Sequence, residues 1–313
     1  MHGAGCGAGV FRAGHIGLIG ARSLVGHFLL RHTSHSCSSV LAYTRVESGE
    51  SGDCGVEWRR LPRSSVERNG LPAVEHWIYL SPIWTLPEHF ALLEAHGVRR
   101  IVALSSTSRF TKRADVNPAD ERENAIAQQL IDGEERVVQW ATSRGIEWVI
   151  LRPTLIYGLG EDKNLSEMAR FVRRFGFFPL FGDALGLRQP IHADDVARGA
   201  LAALHSETAT NCAYNIAGGE AIPYREMVAR IFVVDNRKPI FIKFPRAIFN
   251  LALFFMRKFP RFQSWSIAAV ERMNQDLVFD SSDAARDFGF HAQVFKPVHE
   301  DLLISARIPV HRM

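Results

Sequence analysis

HIGLIGARSLVG, residues 15–26, decides how this chain is read. An apolar run ends at Gly20, and Gly26 follows where a helical pattern begins. A tight strand-to-helix turn needs small residues, and a pyrophosphate needs bare backbone N–H groups at a helix N-terminus. The stretch reads as such a phosphate turn, lined by Gly20, Ala21, Arg22, Ser23, Leu24, Val25 and Gly26. Ser23 takes the place of the middle glycine of a G-x-x-G-x-x-G pattern. A second glycine-rich stretch, GAGCGAG at 3–9, has no apolar strand before it. The fingerprint has physical meaning only between a strand and a helix, so residues 1–14 read as a flexible tail.

Outward from this turn, strand-like and helix-like segments alternate. VGHFLLRH groups its apolar side chains as a helix does, and VLAYTR at 40–45 reads as a second strand. VEWRRLP (56–62), HWIYLS (76–81), RIVALSS (100–106) and IEWVILRP (146–153) read as further strands. PEHFALLEAHG at 87–97 reads as a helix with proline at its start and glycine at its end. ENAIAQQLIDGEERVVQWATSRG at 123–145 reads as a long helix weakened by Gly133. Such alternation predicts a doubly wound α/β fold, a parallel sheet with helices on both faces. Ligands of such sheets sit outside the carboxyl ends of the strands. Those ends are Gly20, Arg45, Ser81, Ser105–Thr107 and Arg152–Pro153.

Past residue 155 the rhythm changes. RQPIHADDVARGALAAL at 188–204 begins as a strand and continues as a helix, with Asp194 or Asp195 placed to cap it. AYNIAGGEAIPYREMVARI at 213–231 gives a strand, a Gly-Gly turn and a helix. The expected division is a nucleotide-binding Rossmann-type domain at 15–165, completed by about 188–218. Residues 166–187 and 219–313 form a smaller C-terminal substrate-binding portion.

Composition narrows the function classes. The 313 residues carry 37 basic and 33 acidic side chains, a net charge of +4 without a long basic block, so nucleic acid is not implied. Cys6, Cys37, Cys54 and Cys212 form no CxxC pair and no metal-ligand spacing with histidine, which favours a reduced, cytoplasmic protein without a metal site. No apolar run reaches the roughly 18–20 residues that span a bilayer. AIFNLALFFM at 247–256, flanked by Arg246, Arg257, Lys258 and Arg261, comes nearest. Residues 245–262 are expected over the substrate side of the crevice; contact of that segment with a membrane surface is the alternative.

GARSLVG (20–26), VALSS (102–106), LRPTLIYGLGED (151–162), RQPIHADDVA (188–197), YNIAGGE (214–220) and FDSSDAARDFGF (279–290) occur in an order that resembles one family. The chain is similar to extended or atypical short-chain dehydrogenases/reductases of the NAD(P)-dependent epimerase/dehydratase type. The resemblance covers residues 15 to about 220 and returns near the C-terminus. It implies that the turn at 20–26 holds the cofactor pyrophosphate. It places Arg45 at the adenosine ribose, where an arginine suits a 2′-phosphate and a carboxylate suits a free hydroxyl. NADP is therefore favoured, with NAD as the alternative. Ser81 and Pro82 would pass the cofactor ribose, Pro153 and Leu155 would lie near the nicotinamide, and Ser105 would be a further cofactor contact. Arg188 would face a sugar-nucleotide pyrophosphate, or else bridge to Asp194 or Asp195.

The departure from the family lies in catalysis. A Tyr-x-x-x-Lys pair on one helix face supplies the family's proton transfer. Counting back from Glu135 places Ala127 and Ile131 at those positions, and no tyrosine in the chain has lysine four residues on. Ser105, Ser106, Thr107, Lys112, Tyr157 and His192 are the remaining candidates for a substrate-binding hydroxyl or a proton donor. Two classes of function stay open. One is an atypical oxidoreductase or isomerase acting on a nucleotide sugar or small carbonyl compound. The other is a non-catalytic cofactor-binding redox sensor or accessory subunit.

Overall fold

A computed structural model describes residues 15–35, 39–45, 55–62, 71–112, 121–244 and 272–303. The expectations for the tail at 1–14 and for 245–262, including the 247–256 run, lie outside the described residues.

The central sheet holds seven strands. They are β1 (Ile16–Ile19), β2 (Val40–Thr44), β3 (Val56–Arg60), β4 (His76–Tyr79), β5 (Arg100–Leu104), β6 (Glu147–Pro153) and, after four short strands, β11 (Cys212–Ile216). Their order is β11-β6-β5-β4-β1-β2-β3, with every neighbouring pair parallel. This is the Rossmann-type sheet the alternation predicts. The chain leaves β1 toward β2 on one side and returns through β4 on the other, so the crevice opens between β1 and β4.

Both faces of the sheet are covered, which explains why its strands read as unbroken apolar runs. On one face Leu18, Ala42, Ile78, Val102 and Leu151 pack with Leu29 of α1 (Leu24–His35) and with Val196 and Ala200 of α6 (Ala193–His205). On the other face Ile19, Trp77, Tyr79, Ile101 and Ile150 meet Leu92 of α2 (Phe90–Ala95) and Leu130 and Val137 of α4 (Glu121–Arg144). Two local readings change. Residues 83–89 form a 3-10 turn with Pro87 inside it, so α2 begins only at Phe90. Gly133 is a packing requirement of α4, because a Cβ there would lie 2.9 Å from the Trp84 backbone. Beyond β5 the chain forms the single helical turn α3 (Ser108–Thr111).

A second core lies beside the sheet. It gathers Tyr157 of β7 (Ile156–Tyr157), Leu165 and Val172 of α5 (Leu165–Phe175), Phe178 and Phe181 of β8 (Phe178–Phe181), and Met227 and Ile231 of α7 (Tyr224–Val234). The short strands β9 (Leu187–Arg188), β10 (Ile191–His192), β12 (Ile222–Pro223) and β13 (Phe241–Phe244) tie these pieces together. The helices α8 (Ser282–Phe288) and α9 (His299–Leu302) complete the described residues.

One buried polar pair predicts how stability responds to acid. His96 is 1% exposed; its Nδ1 lies 2.7 Å from the Pro72 carbonyl and its Nε2 2.8 Å from the Tyr43 hydroxyl. Nδ1 therefore donates to the carbonyl and Nε2 accepts from the phenol, which fixes a neutral ring. Burial pushes its pKa below the ordinary value. The unfolded chain takes up a proton near pH 6.5 that the folded ring refuses, so stability is present above about pH 6.5 and declines as pH falls below it. Urea midpoints measured at about pH 5 and about pH 7.5 should differ in that direction, and His96→Gln should flatten the difference.

Candidate functional site

The turn after β1 is built by backbone geometry. Gly20 has φ +91°, in the left-handed region, and a Cβ on it would stand 3.0 Å from Leu80 C and Ser81 N. Gly26 is closer still: its Cβ would meet the Ala21 carbonyl oxygen at 2.4 Å. The third position shows how serine replaces glycine here. The Ser23 amide donates to Gly20 O at 2.9 Å, and its hydroxyl accepts from the Gly26 amide at 3.1 Å. Serine thus closes the turn with its side chain. The first amides of α1, among them Leu24 and Val25, have no intrahelical acceptor and a positive dipole end behind them. Those free amides make the turn a candidate cradle for a pyrophosphate, next to Ser81 at the end of β4.

The strand ends beside β2 and β3, the candidate adenosine side, are basic. Arg45 follows β2 directly and is exposed. Its charge reaches Tyr79 and His89 at the neighbouring strand end. The Arg22 guanidinium lies over the Trp58 ring of β3, 5.6 Å from its centroid. Glu57 of β3 is engaged by Arg59 at 2.7 Å.

At the ends of β5 and β6 the hydroxyls divide. Ser105 Oγ donates to Glu134 Oε1 at 2.5 Å, and Thr107 Oγ1 donates to the Pro153 carbonyl at 3.2 Å. Ser106 Oγ accepts from the Ser108 amide at 3.1 Å. No acceptor for the Ser106 proton lies among the described residues. Glu134 is 3% exposed and is also held by Arg109 and by Arg152, whose Nη2 is 2.6 Å from Oε2. Both guanidiniums lie over the Phe110 ring, at 5.2 and 5.4 Å. A carboxylate this buried is costly unless it is paired, and both arginines pair it.

This cluster offers a second register along α4 beside the one counted from Glu135. Glu135 is exposed, and Glu134 is the glutamate turned to the strand ends. Counting from Glu134 puts Ile126 and Leu130, rather than Ala127 and Ile131, where tyrosine and lysine would stand. Neither register supplies a proton donor. Three turns nearer the N-terminus, Glu123 pairs with Lys112 at 3.6 Å and with Arg272. Glu123 and Glu134 lie on the face of α4 that also buries Ala127 and Leu130. Their partners come from distant segments of the chain.

Tyr157 and His192 stand elsewhere. Tyr157 is 3% exposed, edge-on to His192 and Phe295, and burial first, then the nearby Asp301 and Asp195 carboxylates, push its pKa well above the phenolic range. His192 Nδ1 accepts from the Asp194 amide at 3.1 Å and Nε2 lies 3.0 Å from Asp301. His192 therefore caps α6, the task expected of Asp194 or Asp195. Asp194 instead holds His32 at 2.7 Å, and Asp195 accepts from the Gln293 amide at 3.0 Å.

Arg188 bridges to neither aspartate. Its Nη1 donates to Leu187 O and Gln275 O, each at 2.7 Å, and its Nη2 donates to Arg272 O. It lies 5.5 Å over the Tyr224 ring, and desolvation pulls its pKa down to about 10. Pro153 is buried and Leu155 half-buried beyond the end of β6, where the Leu155 carbonyl accepts from the Ile191 amide at 2.9 Å. No cluster of metal-ligating side chains occurs, and no helix is long and apolar enough to cross a membrane, among the described residues.

Residues 89–217 match the model of the NAD dependent epimerase/dehydratase family. A solved UDP-glucuronic acid 4-epimerase from Bacillus cereus, in complex with NAD, superposes with TM-score 0.65 at 16% identity, covering 93% of this chain and 96% of that one. UDP-glucose 4-epimerase from Thermotoga maritima, solved with UDP-glucose, gives 0.62 at 16% identity, with 93% and 96% covered. A dTDP-glucose 4,6-dehydratase from Bacillus anthracis with NAD gives 0.62 at 12% identity, with 93% and 94% covered. These likenesses establish the fold. A curated relative, NADH dehydrogenase (ubiquinone) 1 alpha subcomplex subunit 9, mitochondrial, of Arabidopsis thaliana, is 29% identical over 100 residues, or 32% of this chain. The match spans 25% of that relative's length.

Proposed function

We propose that this chain, whose residues 89–217 are of the NAD-dependent epimerase/dehydratase family, binds NADP(H) in the crevice above β1 and β4. There it acts as an atypical oxidoreductase or isomerase on a nucleotide sugar or small carbonyl compound. The observation carrying this reading is the turn at Gly20–Gly26, where a Cβ on either glycine has no room. Gly20, Ala21, Arg22, Ser23, Leu24, Val25 and Gly26 would hold the pyrophosphate, Ser81 and Pro82 the ribose, and Ser105, Pro153 and Leu155 the nicotinamide side. The bound nicotinamide supplies hydride chemistry. We assign the substrate oxygen to Ser106, which has a proton to give, with Lys112 as the proton source at the end of α3. Tyr157 and His192 rank behind them, because one is enclosed and the other has both nitrogens engaged. Arg188 would orient the substrate pyrophosphate after releasing its backbone carbonyls. The 15–165 and 188–218 segments would then be the nucleotide-binding domain, the remaining C-terminal residues the substrate portion, and the cytoplasm the compartment.

The nucleotide-sugar class rests on likeness to the superposed epimerases and dehydratase. The second reading is a cofactor-holding accessory subunit, favoured by the apolar residues at the pair positions and by the plant subunit's partial likeness. Calorimetry with NAD(H) and NADP(H), followed by UDP-glucose, tests the first reading. Failure of the folded chain to bind any of these nucleotides would end it.

Arg45 sets the choice between the two cofactors. Losing one charge-assisted phosphate contact costs about 1.5–3 kcal/mol. Arg45→Ala should therefore weaken NADP(H) roughly 10- to 150-fold and leave NAD(H) nearly unchanged. Equal losses for both would assign Arg45 to the turn itself.

A further inference from the structure

We propose that the end of the second core formed by the α5–β8 and α7–β13 links docks onto an anionic phospholipid surface. The two links are neighbours. Arg173 pairs with Asp235 at 2.8 Å, Arg237 caps α5 by donating to Val172 O and Arg173 O, and the Phe178 amide donates to Ile240 O at 2.8 Å. Phe178 and Phe241 are register partners and both pack on the core. Side chains alternate along strands, so Phe177, Ile240 and Ile242 share the outer face of the β8–β13 pair.

The end of that face nearest Phe175 is apolar and open, while Phe181 and Phe244 at the other end pack on the core. Phe175 is 44%, Ile240 55% and Ile242 40% exposed. The Phe175 and Phe177 rings stand 6.3 Å apart, and the Arg174 guanidinium lies 5.5 Å over the Phe175 ring. The charge around them leans basic. Arg170, Arg173 and Lys243 pair with Glu167, Asp235 and Asp183, while Arg174, Arg237 and Lys238 have no acidic partner among the described residues. Exposed large apolar side chains ringed by cations suit the boundary between acyl chains and anionic headgroups. A polar protein partner offers no such depth of hydrocarbon, and a second copy of this face would set cation against cation. The sequence continues from β13 into PRAIFNLALFFMRKFPRF at 245–262, which lacks an acid. The proposal itself rests on the described face.

The full chain is tested by flotation with vesicles of phosphatidylcholine alone and of phosphatidylcholine with phosphatidylglycerol. Binding is expected only to the mixed vesicles, falling as salt rises. Each cation near the surface contributes about fivefold, so Arg174→Gln with Lys238→Gln should lower partitioning about 25-fold. Phe175→Ser with Ile240→Ser should abolish it while far-UV circular dichroism and NAD(H) binding stay as in wild type. Phe175→Trp should keep binding and shift its emission to the blue on vesicles, a readout that survives if the serine variant fails to fold. Absence of binding to the mixed vesicles, or equal binding by wild type and a folded serine variant, overturns the proposal. So does a stable dimer that the serine variant converts to monomer without any vesicle binding. NAD(H) binding is read separately, so failure of the cofactor reading leaves this test standing.

Discussion

Gly26→Leu removes NAD(P)(H) binding while the sheet stays folded. The Cβ that any other residue brings would stand 2.4 Å from Ala21 O and 2.6 Å from Gly20 O. The backbone must part there, moving the first amides of α1 away from the end of β1. Each charge-assisted contact to the pyrophosphate is worth about 1.5–3 kcal/mol, so losing two weakens binding by roughly 10²–10⁴-fold. Ser23→Ala should act more mildly, because it removes only the hydroxyl that accepts from the Gly26 amide. Titration calorimetry reads the affinity, and circular dichroism separates a lost cradle from a lost fold. A Gly26→Leu chain that folds and binds the nucleotide like wild type would place the cofactor elsewhere.

The same turn shows what the sequence discloses. The strands and their parallel, doubly wound arrangement follow from local signals: apolar runs, small residues at β1's end, and alternation with helices. Those signals act over a few residues, and the seven-stranded parallel sheet agrees with them. Proline at 87 was ambiguous because a proline suits the first position of a helix as well as a turn, and here the 3-10 turn absorbs it. Glu134 was harder to see. Its neighbour Glu135 has the same chemistry, and only the partners Ser105, Arg109 and Arg152 distinguish the buried carboxylate from the exposed one. His192 was ambiguous for a similar reason. An imidazole near the crevice satisfies the requirements of a proton donor and of a helix cap equally well until both ring partners are known.

Turnover of nucleotide sugars or small carbonyl compounds should run without any tyrosine. In either register of α4 the positions for the pair are apolar: Ala127 with Ile131, or Ile126 with Leu130. General acid–base assistance contributes about 10²–10⁴-fold, so reduction with NADPH should be slower by about that factor than tyrosine-dependent chemistry of the same type. Tyr157→Phe should leave the rate unchanged, since the phenol is 3% exposed and burial holds its proton on. His192→Ala should cost about 1 kcal/mol of stability through the lost cap on α6, with the rate per folded molecule retained. Ser106→Ala and Lys112→Met carry the test of the proposed chemistry. Lys112 already faces Glu123 at 3.6 Å, a carboxylate that holds the ammonium in place. Loss of turnover in both variants, with NADPH affinity intact, would support these roles. Turnover that survives both, but falls in His192→Ala at equal folded fraction, would return the proton to the imidazole. A chain that binds NADPH tightly and turns over no compound in the screen would be an accessory subunit, with Glu123 reaching Arg272 and Glu134 tying α4 to the strand ends rather than serving chemistry.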